Sequence, residues 1–154
     1  MKNFSMAIGL IFLLSGCASP DSMTSKHGLV KTAAFDPLFI ASTKNSVTNV
    51  KYKTATLMFK KEMPAFAILK DTLVIADSGI FLVEWDTNSL NFHHKLELPF
   101  SEISEVKSVI NERNFLPNSQ YLKVTTVKNE HYNFAIFDET VELSKRLIES
   151  QLSR

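Results

Sequence analysis

Two apolar runs, Leu73-Val74-Ile75-Ala76 and Ile80-Phe81-Leu82-Val83-Glu84-Trp85, flank the short polar stretch Asp77-Ser78-Gly79. Short runs rich in β-branched and aromatic residues on either side of a turn signal read as the two strands of a hairpin. Gly79 is the residue expected to supply the positive φ that such a turn requires. This hairpin is the firmest structural statement in the chain, and the rest of the pattern is consistent with it.

From about Val50 the signals are those of β structure. Tyr52, Thr54, Thr56 and Leu57-Met58-Phe59 make a first strand, closed by Lys60-Lys61-Glu62-Met63-Pro64, and Ala65 to Leu69 is a further apolar segment. After the hairpin, Asp86-Thr87-Asn88-Ser89 is a turn. Leu90, Phe92, Lys95, Leu96 and Leu98 belong to another strand, and Ile103, Val106 and Val109-Ile110 make a shorter one. Asn111 to Ser119, with Pro117-Asn118, reads as a loop. Tyr121 to Val127 and Tyr132 to Phe137 then pair across Lys128-Asn129-Glu130-His131, with Tyr132, Phe134 and Ile136 sharing one face. The end of the chain changes period. Asp138 is a suitable N-cap, Glu139 and Glu142 precede Lys145, Arg146 and Arg154, and Val141, Leu147, Ile148 and Leu152 line one side of an amphipathic helix with Leu143 at its edge. The expected class is mainly β with a C-terminal α-helix.

The chain has 154 residues, the size of one domain. Acidic and basic residues balance once Lys2 is set aside, so there is no sustained positive field for nucleic acid. One cysteine, Cys17, excludes an internal disulfide.

The surroundings of Cys17 give it a role. Met1-Lys2-Asn3 is a short positive start, and the apolar run from Phe4 to Leu14 is too short for a bilayer core of about 20 residues. It fits the hydrophobic region of a secretory signal. Leu14-Ser15-Gly16-Cys17 then resembles the bacterial lipobox, so residues 1–16 are expected to be a signal peptide. The resemblance implies cleavage before Cys17 and a diacylglyceryl thioether on its sulfur, usually with an amide-linked acyl chain. Cofactors are expected to be limited to that covalent lipid. Two or more chains anchor a protein stably. Ala18, where lipoproteins retained in the inner membrane often carry Asp, implies transfer to the outer membrane, periplasmic face, in a Gram-negative host. Residues 18–28 are small and polar and read as a tether. Residues 29–48 read two ways, as a segment packed on the domain or as a second linker. The division expected is a lipidated N-terminus and tether over 17–49 and a folded domain over 50–154.

About seven short strands followed by one amphipathic helix is the element order of the pleckstrin-homology-like fold, a two-sheet antiparallel sandwich or partly open barrel plugged by its C-terminal helix. Leu73 to Phe81 resembles the central hairpin of GRAM and related bacterial domains. Leu98-Pro99-Phe100-Ser101-Glu102-Ile103-Ser104-Glu105-Val106 is similar to their leucine-proline, acidic-isoleucine, valine stretch. Tyr132 to Phe137 running into the helix resembles their last strand and plug. The match weakens between Ala65 and Leu69.

Lys44, Lys51, Lys53, Lys60, Lys61 and Lys70 are opposed only by Glu62. In several lipid-binding members, basic residues around the first hairpin clamp an anionic head group. Lys51, Lys53, Lys60, Lys61 and Lys70 are therefore the candidate patch for phospholipid or lipopolysaccharide phosphates, weighed against a solvated face. His93 and His94 are strand neighbours that point to opposite faces and cannot easily chelate one ion, so no metal site is expected. Glu102 and Glu105 are a possible acid–base pair, better read as solvent-facing scaffold. Phe81, Trp85 and Phe92 read as core. No nucleophile elbow, glycine-rich phosphate loop or zinc-protease motif occurs. The expected function is a non-enzymatic interaction module, lipid-anchored at the periplasmic face of the outer membrane, with an envelope protein as partner. Strand addition at an exposed sheet edge is one available mode. An anionic-lipid module and an envelope hydrolase are the alternatives.

Overall fold

Alternate residues of the central hairpin are apolar in both phases, so both of its faces must be covered. The structure, a computed structural model, describes residues 29–44, 46–60, 69–111, 119–136 and 138–153. Seven antiparallel strands are present: β1 (Val50–Phe59), β2 (Asp71–Ala76), β3 (Gly79–Asp86), β4 (Asn91–Pro99), β5 (Ile103–Asn111), β6 (Ser119–Thr126) and β7 (His131–Ala135). Two helices, α1 (Phe35–Ser42) and α2 (Asp138–Leu152), flank the sheet, with single 3-10 turns at Leu29–Lys31 and Phe100–Glu102. The expected mainly-β class with a C-terminal helix is thus the observed one.

The strands run in the order β4-β3-β2-β1-β7-β6-β5, and the sheet does not close. Strand β1 joins its two halves. Residues Val50 to Thr56 pair with β2, and Leu57 to Phe59 pair with β7. One face, the inner one, is formed by Leu73, Ile75, Ile80, Leu82, Leu98, Ile103, Val106, Leu122, Val124 and Phe134, closed by Val141 and Ile148 of α2. The opposite face of the β2–β4 half carries Val74, Ala76, Phe81, Val83, Trp85 and Phe92, closed by Leu29, Phe35, Phe39 and Val47. Phe81, Trp85 and Phe92 are core, as the sequence suggests.

The second core settles the two readings of residues 29–48. Leu29, Phe35 and Phe39 are fully buried, so the packed unit reaches back at least to Leu29, ahead of Val50. Phe35 and Phe39 are one helical turn apart and face the sheet together. Pro37 obscures this pattern, yet it lies in the first turn, where its missing N–H costs nothing.

Strand β5 is longer than expected, spanning nine residues. Ile103 and Val106, three apart, would face opposite ways on a regular strand. The ladder shifts between Ile103 and Glu105, and both side chains reach the inner core. A similar shift leaves Lys95 unpaired between His94 and Leu96, so Phe92 faces one core and Leu98 the other. Most of Ala65–Leu69 lies outside the described residues, as does the expected loop at 112–118. Leu69 itself is not in a strand.

Gly79 corrects an expectation. No described glycine has a positive φ. A side chain at Gly79 would instead drive into the Leu98 carbonyl, with the Pro99 Cα 3.0 Å from the added carbon. The glycine permits close approach of β3 to β4. The positive φ values fall on Lys44, Leu90 and Asn129, the last in the β6–β7 turn.

Gly79→Ala is expected to cost about 1–3 kcal/mol, the range for forced overpacking, in equilibrium urea unfolding. The Ser144 hydroxyl is buried beneath α2 without a hydrogen-bond partner. Ser144→Ala is therefore expected to raise stability by about 1 kcal/mol in the same assay.

Candidate functional site

Strand β5 pairs with β6 alone and so forms one edge of the sheet. Beside this edge, α2 packs across β5 and β6 and leaves a groove of about 570 Å³. Val106 and Leu152 give it apolar lining, Ser104 and Ser153 hydroxyls, and Glu105, Lys107, Lys145 and Glu149 charges. Much of that charge is already paired. Lys107 meets Glu105 at 2.8 Å, and Lys145 lies 3.8 Å from Glu142. The edge itself carries backbone donors and acceptors that no described strand takes up, which is the arrangement an extended peptide completes.

The described lysines of the candidate patch are spread along β1 and not gathered at one end. Lys51 lies exposed at the start of β1 and Lys60 just beyond its end, roughly 30 Å of strand apart at about 3.3 Å per residue. Lys53 bonds Asp36 of α1, and its ammonium sits 4.9 Å from the Phe35 ring centroid. Lys60 and Lys70 flank the β1–β2 connection, while Lys61 lies outside the described residues, as do residues 1–28, Cys17 among them. Near Lys70, Lys95 meets both Asp71 and Glu84 at 2.7 Å. Burial pulls the Lys95 ammonium down, but hydrogen bonds and charge from the two carboxylates outweigh it and hold its pKa above the ordinary lysine range.

The histidines separate as expected. His93 lies 3.6 Å from Asp86, which also accepts from the Asn88 N–H and the Ser89 hydroxyl. His94 stacks on Phe39 and meets the Ser42 hydroxyl at 2.9 Å. Among the described residues, no three His, Cys, Asp or Glu side chains converge as metal ligands. Glu105 is engaged with Lys107, and both Glu102 and Glu105 are exposed.

Ser42 and His94 have the spacing of a nucleophile and its base, but not the chemistry. The Ser42 hydroxyl lies 2.7 Å from the Phe39 carbonyl, an acceptor that competes with the ring nitrogen of His94 for its proton. Ser42 also ends α1, where the helix dipole opposes an oxyanion. The pair is better read as a clamp holding α1 on β4. A second clamp closes the arm: Thr48 donates its N–H and hydroxyl to Asp77. Burial raises Asp77, but these bonds and the Asn49 contact outweigh it and leave its pKa low. Sequence reading missed these contacts, because each joins residues far apart in the chain. The Phe35–Phe39 spacing, one helical turn, is the local signal from which the helix that brings them in could have been read.

Burial of the ring lowers the His94 pKa below its ordinary 6.5, with Glu97 opposing the shift. A depressed histidine pKa means that the folded state binds the proton less readily than the unfolded one. The α1 clamp is therefore expected to hold fully above pH 6.5 and to weaken as pH falls below it. Hydrogen exchange of the α1 amides against pH should show this, and His94→Gln should flatten the profile.

The chain matches no family model, and no curated protein matches it.

Proposed function

We propose that this chain is a lipid-anchored, pleckstrin-homology-like interaction module of the bacterial envelope that takes an extended segment of a protein partner along the β5 edge. The observation that carries the reading is the open β5 edge beside the α2 groove. Support for the fold family comes from the strand order, with β1 shared between two half-sheets and a C-terminal helix across one face. Support for the anchor comes from Leu14-Ser15-Gly16-Cys17, and for the outer membrane from Ala18. The non-enzymatic reading is favoured by the setting of Ser42, which bonds the Phe39 carbonyl and ends α1, where the helix dipole opposes an oxyanion.

Head-group capture by the five lysines is the weaker reading. Lys53 is engaged by Asp36, and Lys51 sits at the far end of β1 from Lys60.

The test is site-specific photo-crosslinking in the full-length protein in its host. Probes at Lys107 and Glu149, on the two walls of the groove, are expected to label one and the same partner segment. A probe at Asn88, in the β3–β4 turn, should label none of it. Absence of a shared adduct from the two groove positions would sink the proposal. In parallel, an alkyne fatty acid fed to the cells should label the wild type and not Cys17→Ser.

A further inference from the structure

Helix α1 departs from the pattern of a surface helix, which carries polar residues on its outward side. Phe35 and Phe39 fill the core, so the opposite side holds Pro37 and Ala41, both exposed, with Leu38 and Ile40 half-buried at the flanks. Ala33, just before the helix, is exposed as well. The two polar side chains of α1 are engaged: Asp36 with Lys53, and Ser42 with the Phe39 carbonyl and His94. Nothing on the outward side is built for water.

Along the arm itself the charges are mainly of one sign, while on the sheet beneath it Glu97 shares the face that α1 covers. Between Leu29 and Lys53 the chain holds Lys31, Lys44, Lys51 and Lys53 against a single acid, Asp36, which Lys53 already meets. Lys44 follows the helix and Lys31 precedes it. An apolar side bordered by lysines fits an anionic lipid surface, where hydrocarbon takes the apolar side chains and phosphates face the ammonium groups. No helix among the described residues is long and apolar enough to cross a membrane, so contact would be peripheral.

The length of chain ahead of the fold points the same way. The residues from Cys17 to Leu29 reach no farther than about 40 Å when fully extended. If Cys17 is acylated, α1 is the first described helix after the anchor and stays within that tether length of the bilayer. We infer that the outward side of α1 (Ala33, Pro37 and Ala41), with Lys44 beside it, is a membrane-resting surface for anionic phospholipid. Helix α2 and its groove lie against the other face of the sheet, so a module resting on α1 leaves the β5 edge open to a partner. The inference draws its orientation from the proposed anchor, while the composition of α1 supports it separately.

The test uses the full-length protein, processed in its host and reconstituted into vesicles of phosphatidylethanolamine and phosphatidylglycerol. Ala41→Cys and Lys107→Cys each carry an environment-sensitive fluorophore, and lipid-borne nitroxides act as quenchers. The label at 41 is expected to be quenched and blue-shifted, and the label at 107 to remain in water. In phosphatidylcholine vesicles the quenching at 41 should fall. Lys44→Gln should weaken contact in the anionic vesicles by about fivefold, read as the ratio of quenched to free label. Equal exposure of the two labels to an aqueous quencher in anionic vesicles would overturn the inference. The wild-type protein separates this result from failure of the anchor, since an unacylated Cys17 takes up label itself and an acylated one does not. If Cys17 takes up label, the same comparison is made in a Cys17→Ser background, and positions 41 and 107 again decide whether α1 touches lipid.

Discussion

Strands β2 and β3 leave neither of their faces to water, and the arrangement of the other elements follows from that. Leu73, Ile75, Ile80 and Leu82 need cover on one side, and Val74, Ala76, Phe81 and Val83 on the other. The chain supplies one helix for each face, α1 from before the first strand and α2 from after the last. Burying a large side chain contributes about 1.5–3 kcal/mol, so either helix removed would expose several such terms together. The side chains of α1 therefore belong to the stability of the sheet as much as those of α2.

The two covers differ in how they are held. Helix α2 closes a core fed by both halves of the sheet, with Val141 and Ile148 inserted among residues of β2, β3, β5, β6 and β7. Helix α1 covers only the β2–β4 half and is fastened by separate polar contacts: Lys53 with Asp36, Ser42 with His94, and Thr48 with Asp77. These contacts are partly exposed, and interactions of that kind are individually weak. Aromatic packing of Phe35 and Phe39 on Phe92 and Phe81 supplies the larger share. Cover and fastening together make the N-terminal arm a structural part of the domain, which bears on any force reaching it from the proposed anchor.

Function is proposed at the places where this covering stops. Strand β5 is left as an edge because the sheet does not close. The outward side of α1 is left apolar although it faces solvent. The sites that looked chemically promising in one dimension are absorbed into structure instead. Lys53 holds α1, His94 supports it, and Glu105 is engaged with Lys107.

Strand identity was legible from the sequence wherever local pattern decides it. The 73–85 hairpin, the Asp86–Ser89 turn, the last strand and the C-terminal helix all follow from side-chain period and turn chemistry, which act over a few neighbouring residues. The proposed lipobox is likewise a linear signal, read without a fold. What the tertiary structure alone decided depends on partners distant in sequence. Pro37 hid a helix whose reason to form is the aromatic face of β3 and β4. Gly79 owes its place to the Leu98 carbonyl on a neighbouring strand, and Ile103 and Val106 share a core through a ladder shift. The groove beside β5 has no linear signature, because an edge is defined by the strand that does not pair with it.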